Sequence, residues 1–185
     1  MLVSYKQFFY CRQVRLLLWC VMAFLSVGCT SIVVPKSPQL QTQKALAVTP
    51  LRNLSQTPLA GEKAEQSLLT LLLERKIKTQ TPPYRQAQSL TALLDTETAE
   101  LQVQSWLLEN NFDYILSGSI NEWGYSKGIA GDPSVSITLW LAPADHPEQI
   151  LWRATGSRVG FGYKNIAALA QEVMSELLEG VNIVQ

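Results

Sequence analysis

Histidine is almost absent from this chain: of 185 residues one is His and three are Cys. A metal centre built on several imidazole or thiolate ligands is excluded by that count. The single His146 stands in Asp145-His146-Pro147-Glu148, which reads as a turn. The sequence also lacks a Gly-x-Ser-x-Gly elbow, a Gly-x-Gly-x-x-Gly fingerprint and a Gly-x-x-x-x-Gly-Lys phosphate loop. No nucleophile paired with a base is visible. Glu122 and Asp132 could face each other across a hairpin as acid and base, but two solvated loop-end carboxylates are the commoner outcome of such spacing. The chain is therefore not expected to be an enzyme. An excess of basic charge is missing too: 15 Lys and Arg balance 15 Asp and Glu, and the basic residues form no run. Nucleic acid is excluded as an expected partner, because phosphate binding needs a clustered basic face.

The charge balance hides an asymmetry. Lys6, Arg12 and Arg15 precede residue 28 and no acid does, so removing that segment lowers the basic count from 15 to 12 against 15 acids, a net −3. Those three cations are followed by an apolar run from Leu16 to Leu25, about ten residues long and short of the roughly 20 needed to span a bilayer. A basic segment followed by a short apolar one predicts a signal peptide over residues 1–28. Leu25-Ser26-Val27-Gly28-Cys29 resembles the cleavage box of bacterial lipoproteins. That resemblance implies that Cys29 becomes residue one, with a diacylated thiol and an acylated amine. Ser26 stands where such boxes most often carry Leu. Thr30, in place of the Asp that retains lipoproteins at the inner membrane in enterobacteria-like sorting, points to the outer membrane. Cys11 and Cys20 would leave with the signal, so the mature chain could form no internal disulfide. Several acyl chains give stable anchoring where one gives marginal binding.

Residues 31–43 carry two Pro, three Gln and no clear period. They read as a tether with a reach of about 40 Å if extended. A folded domain is expected over residues 44–182, long enough for one self-sufficient core. Its first strand is Ala45–Val48. A polar loop then ends in Thr57-Pro58, suited to an N-cap and first helical position. Helices are expected over Leu59–Lys78, where Ala64, Leu68, Leu71 and Leu72 make one stripe, over Tyr84–Leu94, and over Thr98–Asn110, with Leu101, Trp106 and Leu107 on one face. The period then shortens to two. Strands are expected over Asp113–Tyr125, Ser134–Ala142 and Gln149–Phe161, joined by turns at 127–133 and 144–148. Asn165–Gly180 closes the chain as a helix with Ile166, Leu169, Val173 and Leu177 inward and Gly180 as a C-terminal cap. The order predicts an α/β fold: one domain, a mixed sheet with a C-terminal antiparallel three-stranded meander, and helices covering it.

Aromatic residues cluster on these strands. Trp152 is expected in the core. Gly160-Phe161-Gly162-Tyr163 sets two aromatics on a glycine-flanked turn, suiting a membrane interface or partner surface, or else a plug beneath the last helix. Asp132, between Gly131 and Pro133, suits turn geometry. In a ring it would also place one carboxylate per subunit in a confined lumen, where the field is focused.

The stretches Leu116–Tyr125, Gly131–Val135 and Ile150–Arg158 resemble the PelC family, the outer-membrane lipoproteins of the Pel exopolysaccharide export apparatus. Pro50-Leu51-Arg52-Asn53-Leu54-Ser55 and the helix after it fit the wider group of periplasmic lipoproteins with that fold. The resemblance implies a ring of twelve copies on the periplasmic face of the outer membrane, under the export barrel PelB. It implies an acidic ring that guides a cationic, partly deacetylated amino-sugar polymer, best matched here by Asp132. An aromatic belt near the membrane is best matched by Phe161, where that family carries Trp. No cofactor is implied. The alternative is a monomeric lipoprotein that activates or assembles an envelope synthase or secretion machine through one docking face.

Overall fold

The computed structural model describes residues 30–83, 96–125, 131–161 and 164–184. The expected signal peptide, Cys29, the helix expected over 84–94 and Tyr163 lie outside the described residues.

The meander forms as its alternation requires. Strands β6 (Tyr114–Tyr125), β7 (Pro133–Pro143) and β8 (Trp152–Val159) pair antiparallel in sequence order. Val135, Ile137, Leu139 and Leu141 of β7 all point into the core and are buried. A bulge at Ile120/Glu122 shifts the β6 register, which lets Trp123 return to the buried face opposite Val135. Short parallel strands extend the sheet beyond β6: β3 (Leu46–Val48) pairs β6, and β5 (Thr79–Gln80) pairs β3. A further pair, β4 (Arg52–Asn53), lies against β6 at Ser119 and Ile120. The sheet is therefore mixed, with an antiparallel meander; its main core lies on one side and a smaller cluster around Ile115 and Ala142 on the other.

Helix α1 (Ala60–Glu74) presents Ala60, Ala64, Leu68, Leu71 and Leu72 to that core. Its start differs from the expectation: Leu59 occupies the N-cap with a left-handed φ of 59° and no side-chain cap. Thr57, expected as the cap, donates its hydroxyl to the Trp123 carbonyl and so ties the loop to the sheet. The helix also ends four residues earlier than expected, because Lys76 turns left-handed and the chain enters β5. Helix α2 (Thr96–Asn110) stops at Asn111, whose φ is 50°. Leu101 is exposed on it while Trp106 and Leu107 pack on a small second cluster with Phe112, Ile115 and Ala142. Five positions separate Leu101 from Trp106, which at 3.6 residues per turn sets them on different faces. Helix α3 (Ile166–Leu178) begins as expected, with Asn165 Oδ1 accepting from the Ala167 N–H at 2.9 Å.

The tether expectation is corrected. Strand β1 (Thr30–Val33) pairs antiparallel with β8, and β2 (Leu40–Gln41) pairs parallel with β9 (Ile183–Val184). Between them the Trp152 indole N–H donates to the Pro35 carbonyl at 2.7 Å, the Ser37 N–H to the Gly180 carbonyl at 2.7 Å, and the Asn182 N–H to Ser37 Oγ at 2.8 Å. Leu40 is buried. The segment is thus a strap on the domain, which begins at residue 30 or earlier. Its strands are too short to show a period, and their partners lie more than a hundred residues away.

Gly180 follows from the strap rather than from backbone handedness. A Cβ there would stand 2.5 Å from the Pro35 carbonyl oxygen and 2.5 Å from Val34 Cγ1. Gly180→Ala is expected to destabilise by about 1–3 kcal/mol through overpacking, measured by urea unfolding, with faster hydrogen exchange at the Ser37 and Asn182 amides.

At the far end of the sheet, Asp113 is held below the usual aspartate range, first by its hydrogen bond from Lys44 at 2.8 Å and then by the Thr42 hydroxyl at 2.6 Å. A carboxyl whose folded pKa is depressed contributes stability above its unfolded pKa and loses it as pH falls through the folded value. Stability of the native chain should therefore drop as pH falls below about 4. Asp113→Asn should show a shallower acid dependence in pH-resolved thermal unfolding.

Candidate functional site

One end of the sheet gathers the residues singled out by the sequence. The pairing Thr30↔Arg158 places the start of β1 beside the end of β8. Ser134↔Val159 and Tyr125↔Pro133 add the start of β7 and the end of β6 to the same end. The Gly160 N–H donates to the Pro133 carbonyl at 2.8 Å, which carries this pairing one residue past β8. Phe161 follows directly. It is 64% exposed, so it is not a plug beneath α3. Leu169 fills that place: a Cβ on Gly160 would stand 3.5 Å from its side chain.

Asp132 is half-buried at the entry to β7, next to Gly131, whose φ of +59° takes the left-handed turn that glycine accepts without strain. Tyr125 is 58% exposed at the same end. This residue was not singled out as a site by sequence; the signal was its position in register opposite Pro133, which needs the pairing to be seen. Asp132, Phe161, Tyr125 and Thr30 thus share one end of the sheet, and Thr30 is the residue that follows Cys29.

The end is braced from the core side. Arg158 sends its guanidinium to Glu176 at 2.8 and 2.9 Å and to Glu172 at 3.4 Å. Lys164 meets Glu172 at 2.8 Å. Glu172 is held below the ordinary glutamate range, mainly by its hydrogen bond from Lys164, with Arg158 adding to the effect. These bridges join β8 and the loop after Phe161 to α3. They hold the end of β8 against α3.

Among the described residues, those weighed for chemistry stand apart. Glu122 is exposed opposite Ser136, three residues inside the end of β6, while Asp132 lies just before β7. His146 is exposed in the turn at the opposite end of the sheet, with Nδ1 3.3 Å from Glu148 Oε1. Among the described residues no group of three or more His, Cys, Asp or Glu could hold a metal ion. Among them, too, no helix is long and apolar enough to cross a membrane.

No protein-family model and no curated protein sequence matches the chain. Among solved structures it is similar to the PelC dodecamer from Paraburkholderia phytofirmans, at 24% identity and a TM-score of 0.66, over 86% of this chain and all of that one. It is also similar to lipoprotein GNA1162 from Neisseria meningitidis, at 17% identity and a TM-score of 0.52, over 77% of this chain and 96% of that one. The class defined by the architecture is that of a small α/β domain with a helix-covered mixed sheet. Within that class, the fold is the one found in PelC.

Because Phe161 is exposed and carries no core packing, Phe161→Ser is expected to change unfolding free energy by less than about 0.5 kcal/mol. A larger loss in urea unfolding would show that the ring has a structural role.

Proposed function

We propose that the chain is an outer-membrane lipoprotein that assembles into a ring-shaped periplasmic collar and guides a cationic exopolysaccharide, Pel, toward its export barrel. The observation that carries the reading is the gathering of Thr30, Tyr125, Asp132 and Phe161 at one end of the sheet. With acyl chains on Cys29 and β1 already paired at Thr30, no slack separates lipid from domain, so this end is held against the bilayer. Phe161 and Tyr125 then lie at the depth where amphipathic aromatic rings favour the membrane interface. Asp132 supplies one carboxylate per copy. Repeated around a closed ring, such carboxylates attract a cationic chain by a focused field without binding any one unit tightly. Weak repeated contact suits transport, since the polymer must also leave. The dodecameric state of the similar PelC structure supports self-association, and a ring uses two different faces of each copy.

The mass of the protein purified from membranes in detergent, by light scattering and native mass spectrometry, tests the reading. A closed oligomer near twelve copies is expected, with Cys29→Ser releasing it from the membrane and Asp132→Ala lowering polymer export without changing the assembly. A strict monomer would replace the collar by the activator reading.

A further inference from the structure

The loop between β4 and α1 combines features that a solvated loop does not need. Residues 51–61 hold one cation, Arg52, and no acid. Leu54 and Leu59 are 61% and 46% exposed. Leu59 takes the left-handed conformation at the N-cap of α1. That position favours Ser, Thr, Asp, Asn or Gly, and that conformation favours glycine. Folding alone gives no reason for leucine there. The loop is nonetheless held firmly. Asn53 Nδ2 donates to the Thr57 carbonyl at 2.8 Å, and Asn53 Oδ1 accepts from the Ser55 N–H at 3.0 Å and from the Ser55 hydroxyl at 2.7 Å. The Leu54 N–H donates to the Ile120 carbonyl at 2.9 Å, and the Thr57 hydroxyl donates to the Trp123 carbonyl. These bonds tie the polar groups to one another and to β6, while both leucines stay exposed.

Register places this loop level with Thr30. Trp123 pairs with Val135, Val135 with Arg158, and Arg158 with Thr30, so one line across the sheet runs from the loop to the residue after Cys29. The two lie on opposite flanks of the meander, because β1, β8, β7, β6 and β4 follow one another across the sheet. At about 4.8 Å per strand spacing, β4 stands about 19 Å from β1. Acyl chains before Thr30 would hold the sheet at one flank only. A rigid body held at one point is free to tilt about it, and an apolar contact at the other flank removes that freedom.

We infer that the loop carrying Leu54 and Leu59 is a second membrane contact, which enters the boundary between lipid headgroups and acyl chains and fixes the tilt of the sheet on the bilayer. Contacts of this kind bind through buried apolar area together with attraction to anionic lipid. The loop supplies both terms, since its leucines are exposed and its one charge, Arg52, is of the sign that suits lipid phosphate. A protein surface is the poorer occupant. An interface centre asks for a contiguous apolar patch, whereas this loop sets two leucines among Ser, Gln and Thr. The inference rests on the anchoring reading of Cys29 and adds a contact that neither acylation nor Phe161 supplies.

The test uses protein purified from membranes and reconstituted into vesicles of phosphatidylethanolamine and phosphatidylglycerol. With Cys29 acylated, a cysteine introduced elsewhere is the one thiol of the mature chain open to an environment-sensitive dye. Dye on Leu54→Cys and on Leu59→Cys should emit to the blue of its emission in water and be quenched by lipids brominated along the acyl chain. Dye on Leu73→Cys, at an exposed position near the other end of α1, should do neither. Replacing both loop leucines by Ser should leave the thermal midpoint and vesicle attachment as in the native chain. Energy transfer from the Leu73→Cys dye to a lipid acceptor should then spread over a wider range of distances, because the tilt is released. Water-like emission without quenching at both loop positions overturns the inference. So does blue-shifted emission that brominated lipid leaves unquenched, which assigns the loop to a protein neighbour. An unchanged spread of energy transfer in the double Ser variant overturns the fixed tilt. A native chain that takes up dye itself, or washes off the vesicles, overturns the anchoring reading and this inference with it. A native chain that stays attached while its loop labels remain in water sinks this inference alone.

Discussion

Everything in this domain rests on the docking of α3 against the inward rows of the meander. Leu169, Val173, Met174 and Leu177 are buried against β7 and β8. The approach is close enough that a Cβ on Gly156 would stand 2.8 Å from Val173 Cγ1. Burial of such side chains contributes about 1.5–3 kcal/mol each, and it is available only where one strand face is apolar throughout. The strict alternation of β7 meets that condition, and α1 completes the same layer from the neighbouring strands. The opposite face is apolar only at Ala47, Ile115 and Ala142, where α2 packs, and polar along the rest of the meander.

That division organises the rest of the molecule. The inward face carries the main core, the outward face carries hydroxyls and one indole beside the smaller cluster at Ile115 and Ala142, and the two ends of the sheet are chemically distinct. One end holds Lys44, Asp113 and Thr42 in a hydrogen-bonded group. The other presents Phe161 and Tyr125 to solvent beside Asp132, where the strap starts. Pairing of β1 with β8 makes this end the one from which any anchor before residue 30 must emerge. Under the proposed anchoring, orientation at a membrane would follow from backbone hydrogen bonds rather than from a linker's length.

The meander and α3 were legible because their patterns are local: eight or more residues of one period, an Asn at the N-cap, and turn residues between. Trp152 was legible as core for the same reason. What the periodicity could not show were the two-residue strands β2, β4, β5 and β9, and β1 with the strap behind it. A pair of residues has no measurable period, and the polar, proline-bearing composition of 31–43 is the same in a tether and in a strap. The cap at Thr57 was misread because its hydroxyl has a distant acceptor, the Trp123 carbonyl, that outcompetes the local amide. Among the candidate site residues, Phe161 was found by its glycine neighbours, whereas Tyr125 stood out only once its strand partner was known.

By itself the sequence determined the class of fold, the inward rows of β7, the helix that covers them, and the lack of a second imidazole, since these depend on composition and on short repeats along the chain. Tertiary structure alone decided that residues 30–42 belong to the domain, that Gly180 is demanded by the passing strap, and that Tyr125, Asp132 and Phe161 share one end of the sheet with Thr30. The reason is physical: hydrogen bonding across strands and close approach between distant segments depend on register, and register is a property of the assembled sheet rather than of any one of its strands.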